Sequence, residues 1–151
     1  MPPLITQLRQ VSSAIVAELV DRLNRAGFDD ITAAHHPVFY NLDRDGTRLT
    51  ELAARAGITH QSMGELVTAL VNSGYLRRTP DPADRRARLV APTERGVAAM
   101  TRARREVAEI DAAWLRRLAA GGLDGDVRAA FAAAIDAAIS QSSVRASANP
   151  G

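Results

Sequence analysis

The 151-residue sequence predicts a mainly α chain with one small β-hairpin, and three patterns predict it. Leu4, Leu8, Val11, Ile15, Leu19 and Leu23 recur at steps of four and three residues, the period of an amphipathic helix. Met63, Leu66, Val67, Leu70 and Val71 repeat in the same way behind a shorter helical stretch and a glycine, which together make a helix-turn-helix. Tyr75 to Thr79 and Arg86 to Ala91 read as strands on either side of the turn-forming run PDPADR.

The first helix stops near Gly27, and ITAAHHPVFYNLD then gives a short helix interrupted or started by Pro37. DRDG, Asp43 to Gly46, is a turn. Thr50 is placed to cap a short helix with Leu52, Ala53 and Ala56 inward, and Gly57 suits the left-handed position that ends it. Thr59 caps the next helix, which Gly74 stops. After the hairpin, Pro92-Thr93 opens a long helix with Val97, Met100, Val107, Ile110, Trp114 and Leu118 on its apolar side, ending at Gly121-Gly122. A last helix starts near Asp124 with Val127, Phe131, Ile135 and Ile139 inward, and the polar SQSSVRASANPG end reads as disordered. The expected organisation is an N-terminal dimerisation helix (1–30), a central lobe (31–96), C-terminal dimerisation helices (97–140) and a tail (141–151). The terminal helices earn that description because they carry more apolar surface than one small subunit covers. Packing them together, and against the same pair of a second subunit, is the economical solution.

Composition narrows the function. No run approaches the roughly 18 apolar residues of a membrane span, and MPPLITQLRQ lacks a basic segment followed by an apolar one, so a cytoplasmic, nucleoid-associated protein without membrane contact is expected. The absence of cysteine removes disulfides, thiolate metal sites and thiol redox sensing. All 19 basic residues are arginine, a bias in keeping with a GC-rich genome, and the net charge is only +2, so clustering alone carries weight. The cluster is Arg85, Arg86 and Arg88, at the hairpin tip and returning strand, with Arg77 and Arg78 on the outgoing strand.

With Met63, Leu66, Val67 and Leu70 inward, the second helix of the helix-turn-helix turns His60, Gln61, Gly64, Glu65 and Thr68 outward. That face is polar and short-armed, and its N-terminal end favours phosphate. Histidine and glutamine bond base edges, glutamine pairing with adenine through two bonds. Glu65 is the dissenting member, since a carboxylate repels the duplex unless it accepts from a cytosine amino group. The arginines of the adjacent ribbon fit a flanking minor groove, where the potential is most negative. Asp81 and Asp84 shape the turn and pair with local arginines. The competing reading is a solvated helix face beside a charged hairpin that protects a sheet edge.

Leu49 to Gly96, above all the GYLRR exit, the DPADRRARLV hairpin and the PTERG helix start, resembles the winged helix-turn-helix of MarR-type transcriptional regulators. The flanking helices fit that family in number and place. The resemblance implies a winged helix-turn-helix between dimerisation helices, in a homodimer that binds a near-palindromic double-stranded operator and releases it on binding a small molecule. It places DNA contacts on Thr59, His60, Gln61, Ser62, Gly64 and Glu65 and on Arg85, Arg86 and Arg88 of the wing. His60 stands where many members carry a basic residue, and Glu65 where many carry arginine or serine. The effector is expected between the dimerisation helices and the DNA-binding lobe, with His35, His36, Phe39, Tyr40 and Trp114 as candidate lining.

No cofactor or metal is expected: adjacent His35 and His36 diverge by about 100° on a helix and chelate poorly. No nucleophile–base spacing or phosphate-binding glycine loop points to an enzyme. The alternative of another class is a winged-helix module for protein–protein contact that has lost DNA binding.

Overall fold

The computed structural model describes residues 1–123 and 125–148, with side chains placed for all of these except 85 and 140–148. The elements, in order, are α1 (Leu4–Arg25), a 3-10 turn (Ala33–His35), α2 (His36–Asn41), β1 (Thr47–Arg48), α3 (Leu49–Ala56), α4 (His60–Asn72), β2 (Leu76–Asp81), β3 (Asp84–Pro92), α5 (Glu94–Ala120) and α6 (Val127–Ala148). The chain divides into two compact units, Met1–Ile110 and Asp111–Gly151.

In the first unit the core is built where helix and strand periodicities coincide. Leu52, Met63, Val67, Leu70, Val38 and Tyr75 are fully enclosed, so α2, α3 and α4 share one apolar centre closed by the start of the sheet. Gly57 ends α3 at φ +65°, the left-handed conformation that costs other residues strain. Thr59 caps α4 by accepting from the Ser62 N–H at 3.1 Å. Thr50 does not cap α3. The helix begins one residue earlier, with Arg48 in extended backbone at its N-cap and no side-chain cap bond, because it leaves directly from a strand.

That strand, β1, is a feature the DRDG turn concealed. Thr47 and Arg48 pair with Val90 and Leu89, giving an antiparallel sheet of order β1-β3-β2. β2 and β3 are joined at Pro82-Ala83, with Asp81 opposite Asp84 and an irregularity between Pro80 and Asp81. Pro80 is tolerated because β2 is an edge strand, where its missing N–H breaks no ladder bond.

α5 buries Gly96, Ala99, Glu106 and Ile110 rather than the larger residues alone. Glu106 is enclosed because Arg22 of α1 donates to it at 3.0 Å and Arg102 at 2.6 Å, holding its carboxyl below the usual range. In the second unit Val127 is buried, but Phe131, Ile135 and Ile139, read as inward, are 47%, 58% and 60% exposed. They fall at a four-residue spacing and form one uncovered stripe. Asp124 lies outside the described residues, as do 149–151, and α6 begins at Val127. α6 continues to Ala148, across residues that composition assigned to a tail; no glycine or proline interrupts it before Pro150.

Candidate nucleic-acid interface and effector cleft

Thr59, His60, Gln61, Ser62, Glu65 and Thr68 are all exposed, on the side of α4 opposite Met63, Val67 and Leu70. The cap bond at Thr59 fixes the first turn, and the Thr59 hydroxyl also donates to Ser62 Oγ at 2.9 Å. Gln61 Nε2 donates to Glu65 Oε1 at 3.3 Å, one helical turn away. Thr68 donates to the Gly64 carbonyl at 2.8 Å. Gly64 is half-buried, and a Cβ there would meet Leu49 Cδ2 at 3.7 Å, an ordinary contact.

The wing stands beside this face. Arg86 and Arg88, two residues apart on β3, project from the same side of the strand and are exposed. Arg77 and Arg78 are exposed on β2. Among the described residues, none of these four has a carboxylate within ion-pair distance. Arg78 instead donates to Thr68 Oγ1 at 3.0 Å and so ties β2 to α4. The result is an open groove lined by Gln61, Gly64, Glu65, Thr68, Asn72 and Arg78. Arg85 lies on β3, but its side chain is outside the described set.

The aspartates shape the turn. Asp81 Oδ1 accepts from the Ala83 N–H at 2.8 Å, and Asp84 Oδ1 accepts from the Arg86 N–H at 3.0 Å. Asp81 is buried, and its partner is Arg48 of β1, at 2.6 Å, rather than a tip arginine. The Ala83 N–H and then the Arg48 guanidinium hold the Asp81 carboxyl below the ordinary carboxylate range. Sequence reasoning missed Arg48 because β1 was hidden; the one signal was a lone arginine directly before an amphipathic helix.

A cleft of about 370 Å³ lies within the first unit, between α1, α2 and α5. Leu19, Leu23, Ile31, Phe39, Met100 and Val107 make it predominantly apolar, and Thr32, His36, Tyr40 and Arg104 supply its polar groups. His36 stacks on Tyr40 with ring centroids 5.6 Å apart. Of the five residues proposed as lining, His36, Phe39 and Tyr40 are at the cleft. His35 turns away: its Nδ1 accepts from the Thr32 N–H at 3.1 Å. Trp114 belongs to the second unit, where Arg117 stacks 5.1 Å from its ring. Burial lowers the pKa of both histidines. Phe39 also meets Tyr75, the residue that leads from α4 into the wing, edge-on at 6.2 Å. Among the described residues no group of three or more His, Asp or Glu side chains is placed to hold a metal ion, and no helix is long and apolar enough to cross a membrane.

Residues 29–87, from just beyond α1 into the first half of β3, match the MarR family model. Solved structures share the whole fold. A MarR family transcription regulator, SP03579, superposes with a TM-score of 0.68 at 18% identity, covering 97% of this chain and 89% of its own. The transcriptional repressor CouR, bound to a 23-mer DNA duplex, gives 0.67 at 24% identity and covers 91% and 92%. The PcaV transcriptional regulator from Streptomyces coelicolor, in complex with its natural ligand, gives 0.62 at 21% identity and covers 89% of each. No curated protein matches the chain.

Proposed function

From the premise that this chain carries a MarR-type winged helix-turn-helix, we propose that it is a sequence-specific double-stranded DNA-binding regulator. It acts as a homodimer and represses by holding a near-palindromic operator that a small molecule makes it release. The observation that carries the reading is the single surface formed by the polar side of α4 and the exposed arginines of the wing, joined through the Arg78–Thr68 bond. α4 enters the major groove, with Thr59, His60, Gln61, Ser62, Gly64 and Glu65 at the base edges and flanking phosphates. Arg85, Arg86 and Arg88 reach the adjacent minor groove.

Exposed Leu4, Ile5 and Leu8 of α1, and Phe131, Ile135 and Ile139 of α6, support a second copy as the cover for these faces. Two-fold symmetry then sets half-site centres roughly 34–36 Å apart. The cleft falls within the range of about 300–1,000 Å³ typical of small-molecule sites, and its lining favours a largely apolar effector held by His36, Tyr40 and Arg104. The ligand in the PcaV structure and the duplex in the CouR structure support both parts of the reading.

A salt-titrated gel shift with the promoter of the chain's own gene tests it. The expected result is a promoter complex at least about 10³-fold tighter than that with random duplex, weakening steeply with salt. Addition of metabolites to that complex identifies the effector by release. Failure to bind any duplex at low salt refutes the proposal and leaves the protein-contact module as the function.

A further inference from the structure

A carboxylate in the middle of a helix meant for DNA calls for a physical reason. Glu65 is exposed on the same side of α4 as Gln61, and no arginine neutralises it through an ion pair among the described residues. Ionised, it only accepts hydrogen bonds. In the major groove, the base edges that offer a donor are the cytosine N4 and adenine N6 amino groups; guanine and thymine edges present acceptors that repel a carboxylate. The neighbouring geometry sharpens the choice. Gln61 gives one of its two amide N–H groups to Glu65 Oε1 at 3.3 Å, which orders the carboxylate and leaves the Gln61 carbonyl oxygen as a second acceptor beside it. One turn on, Thr68 holds Arg78 at 3.0 Å in the same groove, so a cation stands where the duplex backbone would otherwise meet Glu65 alone.

We infer that Glu65, with Gln61 as its ordered partner, determines operator specificity by accepting from the amino group of a cytosine or adenine in each half-site. The inference rests on the DNA-binding reading above and deepens it. It assigns Gln61 the role of ordering that carboxylate, with its carbonyl oxygen as a second acceptor.

The test uses the full chain and a library of double-stranded oligonucleotides randomised across a half-site, from which the bound fraction is sequenced. Parent protein should enrich cytosine or adenine at one position of each half-site, by roughly 5- to 150-fold over guanine or thymine. Glu65→Gln, which adds an amide donor, should accept guanine or thymine there while leaving preferences elsewhere intact. Glu65→Ala should flatten that position. Thermal melts of both variants should match the parent, since residue 65 is exposed. Two results overturn the inference: both variants keep the parent's ranking at every position, or Glu65→Ala tightens binding to all duplexes equally, which marks the carboxylate as repulsive only. A parent that enriches nothing overturns the DNA-binding reading itself and is recognisable as such.

Discussion

Gly96→Ala separates two physical effects of opposite sign. Gly96 is the third residue of α5, and helix propensity alone predicts that alanine there stabilises by about 1 kcal/mol. The structure predicts the reverse. A Cβ at this position would lie 2.1 Å from the Tyr75 carbonyl oxygen and 3.2 Å from Pro92 Cβ. An ordinary carbon–oxygen contact needs roughly 3.3 Å, so one backbone must retreat by about an ångström. The Tyr75 carbonyl is held by the Thr93 N–H at 3.0 Å and the Thr93 hydroxyl at 3.1 Å. The start of α5 is held by Arg95, which bonds the Tyr75 hydroxyl and Asp30, each at 3.0 Å. Overpacking costs about 1–3 kcal/mol, and a stretched hydrogen bond about 1 more, which cancels the propensity gain. The expected outcome is a net loss of about 1–3 kcal/mol. It is read as a lower urea midpoint with unchanged slope, at fixed protein concentration so that association does not shift the midpoint. A variant as stable as the parent, or more so, would falsify the claim that α5 sits against the wing root at van der Waals limit.

Three further outcomes follow from the same structure. Replacing Arg86 and Arg88 together by alanine should lower the slope of log affinity against log salt by about 0.9 for each phosphate that is no longer neutralised, and an unchanged slope would mean the wing misses the backbone. His35 and His36 titrate below the ordinary value of about 6.5 because burial disfavours their charged forms. The unfolded chain therefore binds more protons just below that value. Stability should be full above it, fall as pH drops toward the folded pKa values, and level off beneath them. Urea midpoints between pH 8 and 5 check this, and a midpoint rising on acidification contradicts it. Replacing Phe131 and Ile135 by aspartate should convert a dimer at micromolar concentration to monomer in sedimentation equilibrium; a variant of parental mass would show that the α6 stripe is not the cover.

The sequence made helices legible wherever one side chain repeat decided burial. The stripe Met63, Leu66, Val67, Leu70 placed α4 and, by subtraction, its polar face; Gly57 and Thr59 fixed its start because their conformational roles are local. What stayed hidden depended on partners remote in the chain. β1 has only Thr47 and Arg48, too short for any alternation, and exists because Val90 and Leu89 lie opposite. Arg48 therefore could not be matched to Asp81, 33 residues on, and the wing's anchor went unseen. Gly96 and Glu106 were unreadable for the same reason: one is small because Tyr75 is near, the other charged because Arg22 and Arg102 enclose it. At the cleft, the His35-His36 pair could not be divided into a ring that lines the cleft and a ring bonded back to Thr32, since that depends on the 3-10 turn that ends at His35.

The low net charge is compatible with binding a polyanion once the arginines are sorted by what they touch. Several of those in the body have carboxylate partners: Arg22 with Glu18, Glu106 and Glu109, Arg55 with Asp43 and Glu51, Arg95 with Asp30, Arg102 with Glu106, and Arg25 with Asp21, while exposed Arg9, Arg44, Arg104, Arg105 and Arg116 have none among the described residues. Arg77, Arg78, Arg86 and Arg88 on the wing have none among the described residues. A phosphate near the wing is screened from the rest of the molecule over a Debye length of about 8 Å at physiological salt, so it responds to the wing's own excess and hardly to the total of +2. The counterions released on binding are set by the arginines that meet phosphate, which the proposed interface places on the wing. Arg25→Ala, which removes an exposed paired cation of α1, should therefore leave the salt slope at the parent value under the conditions in which the wing variants lower it. An equal loss from both kinds of variant would mean that the count of arginines, and not their placement on the wing, drives association.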